Sequence, residues 1–425
     1  MTNDIRTASS PRPRVLQVSW EFPPVVVGGL GRHVGALAAA LRDGGADVRV
    51  LARAAEGQPS GEYDEAGMPV LRAAPGPPYF GFATELLRWV QVFNHSLRRT
   101  AAAHLREPVD LVHAHDWLVA PAAVAISREY GVPLVTTIHA TEAGRHLGWL
   151  PKPLNRTIHQ TEGWLVRAST QVITCSRQMR GEVLRLHGAD PSRVRIIPNG
   201  IDLSEWRQPD IAATPAGPPT LVYAGRLVHE KGVQDLVAAL PAIRRAVPGT
   251  RLVIAGTGKT EAALREQVRT LRLTRAVDFL GHLDPGPLRE VMTAADLAVV
   301  PSRYEPFGIV ALEFTALGVP LVVTDVGGLG EYAARTGGPT VPPGEPAALA
   351  RAVIAELRDP SAASGHVDRA RDALASDFSW PVIARDTVAT YDEALRVQPA
   401  APAHLIDRHV EPAGGNLLYG ASRTS

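Results

Sequence analysis

Glu305-Pro306-Phe307-Gly308-Ile309-Val310-Ala311-Leu312-Glu313 follows the apolar run Leu297–Val300 and leads into a helical pattern expected over Phe307–Leu317. In an open α/β sheet, the passage from a strand's carboxyl end into a helix is where polar groups meet a ligand. Pro306 suits a first helical turn, where no hydrogen bond is lost, and Gly308 allows close approach of the backbone. Free N–H groups at the helix start would meet an anion. Glu313 lies two turns deeper on nearly the same face. Both carboxylates are therefore expected to reach one polyhydroxylated ligand whose negative part rests on the helix end. A sugar joined to a phosphate has that form.

Outward from this stretch, short apolar runs alternate with longer amphipathic ones. Leu221–Ala224, Arg251–Ala255, Val277–Leu280, Leu297–Val300 and Leu321–Thr324 read as strands. Helical patterns around Val233–Val247, Lys259–Leu271 and Leu288–Ala294 lie between them, the first expected to kink or divide at Pro241. The same alternation runs earlier in the chain. Val15–Ser19, Val48–Leu51, Leu111–His113, Leu134–Ile138, Gln171–Thr174 and Val194–Ile197 read as strands, and Leu30–Arg42, Thr84–Leu105, Leu118–Tyr130 and Leu154–Ala168 as helices. Alternation of this kind specifies doubly wound parallel sheets. The fold class is thus α/β, with two Rossmann-like domains over 14–205 and 220–379 facing each other across a cleft. The Pro-, Ala- and Gly-rich stretch 206–219 reads as a linker, and the ends, 1–13 and 398–425, as mobile.

Composition narrows the function. A chain of 425 residues with 45% hydrophobic content can bury two or three cores. Its 44 basic and 43 acidic residues leave a formal net charge of +1, without the positive field of a nucleic-acid binder. One cysteine, Cys175, excludes an internal disulfide, and there is neither a signal-like N-terminus nor an apolar run of membrane-spanning length. A soluble cytoplasmic protein is the expectation. Lys152, Lys231 and Lys259 are the only lysines, so one at a motif position is less easily dismissed as surface decoration.

Lys231 is at such a position. Gly225-Arg226-Leu227-Val228-His229-Glu230-Lys231-Gly232 leaves the second domain's first strand with a guanidinium fork and an ammonium, together suited to a diphosphate. Taken singly, either could be a solvated loop charge. Gly256-Thr257-Gly258 fits a tight turn as well as a nucleotide contact. Glu305 alone could simply cap a helix.

In the first domain, Glu21-Phe22-Pro23-Pro24-Val25-Val26-Val27-Gly28-Gly29-Leu30-Gly31 links strand to helix, and its glycines admit a phosphate or sugar. Val34 occupies the third position of a dinucleotide fingerprint where Gly is required, which weakens an NAD reading. His113-Ala114-His115-Asp116-Trp117 has metal-like residue types without a zinc-hydrolase order, and no Asp-x-Asp occurs in the chain. A packed or sugar-contacting role suits it better than ligation. His139 ends a strand and opens the polar exit Ala140-Thr141-Glu142-Ala143-Gly144-Arg145, facing the expected cleft. His146 and Trp149 could stack on sugar rings, while Trp164 reads as core.

Together these motifs resemble the family-4 retaining glycosyltransferases of GT-B fold, over about Arg14 to Leu395. The closer likeness is to actinobacterial glycogen-synthase-like α-1,4-glucosyltransferases, carried by Trp20–Val34 and Ile138–His146. The resemblance implies that Arg226 and Lys231 hold the donor diphosphate beside Phe307, Gly308 and Ile309, that Glu305 contacts the donor sugar, and that Glu313 binds the ribose. Gly28 and Gly29 would approach phosphate or sugar, and His139 would hydrogen-bond the transferred sugar. Asp116, Glu142 and Arg145 are candidate acceptor or sugar contacts. The resemblance also implies a final helix, about 380–397, crossing back onto the first domain. The partners expected are ADP-glucose or UDP-glucose and an α-glucan or glucoside, with no cofactor and no metal. Val26 stands where bacterial glycogen synthases have a lysine, which removes one donor contact. Alternatives are a GT-B mannosyl- or N-acetylglucosaminyltransferase and, from other classes, an NAD-dependent oxidoreductase or a non-catalytic sugar-nucleotide sensor.

Overall fold

The computed structural model describes residues 13–75, 81–82, 84–206 and 217–397. The first sheet is built from β1 (Arg14–Val18), β2 (Asp47–Arg53), β3 (Gly61–Glu65), β4 (Met68–Ala73), β5 (Leu111–His115), β6 (Leu134–Ile138), β7 (Gln171–Thr174) and β8 (Val194–Ile196). Its order is β3-β4-β2-β1-β5-β6-β7-β8, parallel except for the antiparallel β3–β4 hairpin. The second sheet contains β9 (Thr220–Ala224), β10 (Arg251–Ala255), β11 (Val277–Gly281), β12 (Leu297–Val300), β13 (Leu321–Thr324) and β14 (Thr340–Val341). Its order is β11-β10-β9-β12-β13-β14, with every pairing parallel.

Each sheet reverses its winding once, between β1 and β5 in the first and between β9 and β12 in the second. At such a point the crossovers leave to opposite faces, opening a crevice at the strands' carboxyl ends. The glycine loop and Asp116 sit at one reversal, and Arg226 and Glu305 at the other.

Helices cover both sheets: α1 (Gly29–Asp43), α2 (Leu86–His104), α3 (Ala120–Tyr130), α4 (Glu142–Arg145), α5 (Pro153–Ala168) and α6 (Arg177–His187) in the first domain. The second carries α7 (Val233–Ala246), α8 (Glu261–Thr270), α9 (Pro285–Thr293), α10 (Ile309–Ala316), α11 (Gly327–Thr336), α12 (Pro346–Arg358) and α13 (Pro360–Asp377). In α1 the buried Val34, Leu37, Ala38 and Leu41 recur at helical spacing. Against that stripe lies α14 (Trp380–Arg396) through Ile383, Ala384, Tyr391 and Ala394, so the chain's last described helix packs on the first domain. Gly200 has no room for a side chain, since an added Cβ would lie 2.6 Å from the Trp380 indole.

Two local expectations fail. α7 runs through Pro241 undivided, because Leu236, Leu240 and Ile243 anchor it in the second core and that packing offsets the missing hydrogen bond. α10 begins at Ile309 rather than Phe307. Gly308, with φ +96°, is its N-cap, and this left-handed backbone ends the loop and places Pro306 before the helix. An added Cβ on Gly308 would meet Leu329 at 2.5 Å. Trp164 packs at the margin of the main core, as expected. The two ends and most of the 206–219 linker fall outside the described residues, among which no helix is long and apolar enough to cross a membrane.

Candidate active site

A cavity of about 450 Å³ opens between the two strand-end edges. From the first domain it is lined by Gly28, Gly29, Arg32, Asp116, His139 and Arg145, and from the second by Arg226, Lys231, Glu305, Phe307, Gly308 and Ile309. Eleven of the thirteen residues singled out as sites in the sequence thus meet around one space; Glu142 and Glu313 do not line it.

The second-domain wall is held by loop-to-loop bonds. Arg303 and Tyr304 donate their N–H groups to the Glu230 carbonyl at 2.8 and 3.1 Å, and Arg303 grips Asp235 with two bonds of 2.7 Å. The 229–231 turn and the 303–305 loop are thus tied together, and Lys231 Nζ lies 2.6 Å from Glu305 Oε2. Ser302 Oγ donates to the same oxygen at 3.1 Å. This pair is largely buried, where a charge is tolerated only with its partner. Arg226 is exposed, and among the described residues it forms no ion pair. Gly256 and Gly258 are outside the cavity lining. Side chains there would strike the Gly225 and Leu227 carbonyls, so both glycines serve backbone contact.

Glu313 is bound elsewhere. Its Oε1 accepts from Arg32 Nη1 at 2.5 Å, across the domain boundary, with Glu313 buried and Arg32 half exposed. The two carboxylates expected to share one ligand are thus separately engaged, one by a lysine of its own domain and one by an arginine of the other.

The first-domain loop has an internal organiser that the sequence reading did not single out. Glu21 is buried, and its Oε2 accepts the Val27 and Gly28 N–H groups at 2.6 and 2.9 Å. A Cβ at Gly31 would come within 2.9 Å of that oxygen, and one at Gly29 within 3.3 Å of the Ile309 side chain across the cleft. The glycines here let helix α1 approach both its own loop and the opposite domain. Arg32, Asn199 and Tyr304 were likewise missed as cavity residues. Asn199, in the Pro198-Asn199-Gly200 stretch after β8, is the one of these with a local signal in the sequence.

Behind the loop, His139 Nε2 lies 3.1 Å from His115 Nδ1, and the His139 N–H donates to Asp116 Oδ1 at 2.7 Å. Burial, reinforced by Arg145, holds His139 down to about 3, so the ring is neutral at physiological pH. Burial also raises Asp116 to about 6, against opposing bonds from the 139–140 backbone and the Arg145 charge. His113 is packed, as expected, between Tyr391 Oη and Thr137 Oγ1, each at 2.8 Å. His33, His115 and His139 offer nitrogens within 4.8 Å of one another, and His115 and His139 are joined by the 3.1 Å bond. Glu142 receives Asn155 Nδ2 at 2.5 Å and lies 3.2 Å from His146, which fixes it to α5 rather than to the cavity. Trp149 is exposed.

One side of the cleft is closed by direct contact. Tyr304 Oη donates to Glu182 at 3.2 Å and accepts from the Thr141 N–H at 3.4 Å, and the Gly327 N–H donates to Gln178.

Comparison with known proteins agrees with this architecture. Residues 27–205 match the Glycosyltransferase Family 4 domain and residues 204–372 the Glycosyl transferases group 1 domain. The chain is 46% identical over 397 residues to glycogen synthase of Mycobacterium tuberculosis, covering 90% of this chain and 95% of that protein. It is 32% identical to alpha-maltose-1-phosphate synthase of Mycolicibacterium smegmatis, over 89% and 98% of the two chains. Among solved structures, sucrose-phosphate synthase from Thermosynechococcus elongatus superposes with a TM-score of 0.77 at 25% identity, over 91% of this chain and all of that one. The catalytic domain of starch synthase IV from Arabidopsis thaliana, at 19% identity and a TM-score of 0.71, shares the fold. With both family domains on its two Rossmann-like halves and a cleft lined from each, the chain belongs to the GT-B glycosyltransferases of family 4.

Proposed function

We propose that this glycosyltransferase moves glucose from ADP-glucose or UDP-glucose to the end of an α-glucan or related glucoside, forming an α-1,4 link with retention of configuration. The observation that carries the reading is the Lys231–Glu305 pair at the cleft, with the exposed Arg226 beside it and the glycine loop opposite. The 46% identity to a glycogen synthase supports glucose and an α-glucan in particular.

A donor in the cleft would lay its diphosphate against Arg226, Lys231 and the N–H groups at the start of α10. Negative charge grows there as the sugar–phosphate bond breaks, and preorganised cations stabilise it in a partly dehydrated site. Glu305 would exchange part of its bond to Lys231 for the sugar's hydroxyls. Glu313 would reach the ribose once Arg32 yields it. His139, neutral and fixed by His115 and Asp116, would hydrogen-bond the sugar from the opposite wall. Acceptor attack on the face the diphosphate leaves, with the departing phosphate oxygen taking the proton, gives retention without a protein nucleophile.

The test is a panel of nucleotide sugars offered with a maltooligosaccharide, the product being identified by length and linkage. Extension from a glucose nucleotide through α-1,4 links is expected. A mannose-only donor preference, or no extension of the glucan, would sink the reading.

A further inference from the structure

Away from the cleft lining, α5 and α6 meet at three groups that the transfer chemistry does not use. His159 and Glu162, three residues apart, project from one face of α5, and His187 ends α6. Glu162 Oε2 lies 4.0 Å from His159 Nδ1 and 3.8 Å from His187 Nε2. These three atoms are buried and, among the described residues, none has a hydrogen-bond partner. The Glu162 and His187 side chains are each 98% buried. An orphaned polar atom in the interior keeps its full desolvation cost, so three facing one another call for an occupant.

Glu162 is also aimed. Its other oxygen accepts the Glu142 N–H at 2.8 Å, which turns Oε2 toward the two imidazoles. Gly163 supplies the clearance, since a Cβ there would sit 3.1 Å from His187 Nδ1. The three ligating atoms all lie within 4.8 Å of one another. A tetrahedral ion with bonds of about 2.0–2.1 Å wants its ligand atoms about 3.4 Å apart, so the two carboxylate–imidazole gaps close in by about half an ångström and the gap between the imidazoles by at most about 1.4 Å. Two imidazoles and one carboxylate suit a borderline divalent cation, with water as the remaining ligand on the side of the partly exposed His159.

We propose that His159, Glu162 and His187 form a divalent transition-metal site, of the zinc or cobalt class, that clamps α5 to α6. The ion supplies the positive charge that the buried carboxylate lacks, and it holds Glu162 against the first turn of α4, the helix that carries Arg145 into the cleft. Arg167, close to His187, opposes the ion and sets a limit on its affinity. The role is structural and stands independently of the proposed donor and acceptor.

The experiment strips the full chain with a chelator and titrates it with Co²⁺, following visible absorption. Bands of low-coordinate Co²⁺ saturating at one equivalent are expected, lost in His187→Ala and Glu162→Gln. Zn²⁺ should raise the melting midpoint of the stripped parent by several degrees and leave that of His159→Ala unmoved. His159 is partly exposed, so that variant tests the site without emptying the core. Absence of saturable binding, or the same bands in all three variants, would overturn the proposal. So would bands lost only in His33→Ala, which would move the ion to the imidazoles behind the cleft.

Discussion

The second-domain wall of the cleft presents full charges held close to the cavity, Lys231 against Glu305 with Arg226 exposed, whereas the first-domain wall is backed by imidazoles that burial keeps neutral. The contrast follows from position. The second wall is made of loops tied to each other at the sheet edge, where Lys231 keeps its charge by pairing with Glu305 and Arg226 keeps its charge by exposure to water. The imidazoles behind the first wall, His113 and His115 on β5 and His139 just past β6, are buried where a charged ring would be strongly disfavoured. Lys231 and Arg226 beside one another suit a diphosphate, and the neutral His139 beside the glycine loop suits hydroxyls. One nucleotide sugar spans both.

On this reading Glu305→Ala should produce the largest effect: transfer falls below detection in a folded protein, measured as glucan extension. Appreciable turnover in that variant would remove the acid from the sugar and leave it as a mere partner of Lys231. Next, Arg226→Ala or Lys231→Ala should each lower turnover by about a hundredfold or more, the usual loss for a preorganised charge contact. Near-normal rates would return either residue to the solvated surface and erase the contrast between the walls.

A smaller effect probes the buried wall. Asp116 has a folded pKa raised from 3.8 to about 6, so above that value its charge costs stability, and the cost disappears as pH falls from about 6 toward 3.8. Asp116→Asn should therefore be more stable than the parent at neutral pH, by at most about 3 kcal/mol, and the gap should close by about pH 4. Denaturant melts at the two pH values decide this, and a gap that widens on acidification would contradict the burial argument. The smallest expected effect is none at all. The chain lacks Asp-x-Asp, and with Arg226 and Lys231 carrying the leaving-group charge, a chelator should leave the rate of transfer unchanged at a temperature where the metal-stripped chain stays folded. Activity lost to chelator and restored by magnesium or manganese would make those cations insufficient.

The sequence carried the alternation of strand and helix, and with it the two sheets, because apolar runs buried on both faces stand out against polar connections. It concealed the β3–β4 hairpin, since Gly61–Glu65 is an edge strand rich in acidic residues and shows no apolar face. Helix α6 was missed for a similar reason, as it is mostly polar and contacts the second domain through α11. At the site, local motifs singled out Arg226, Lys231, Glu305 and His139 in segments that follow strands, and the fold brings all four to the cavity. Their partnerships were not legible. Lys231 with Glu305 and Arg32 with Glu313 join residues far apart in the chain, and only the folded geometry brings Glu21 beneath the glycine loop.

The division between the walls is tested most directly by titrating free nucleoside diphosphate into the parent and into Glu305→Ala by calorimetry, with Lys231→Ala for comparison. If Glu305 serves the sugar and the cations serve the diphosphate, Glu305→Ala binds the nucleotide nearly as the parent does while Lys231→Ala binds it more weakly. Loss of nucleotide binding in Glu305→Ala would contradict the account and make the acid part of the diphosphate site.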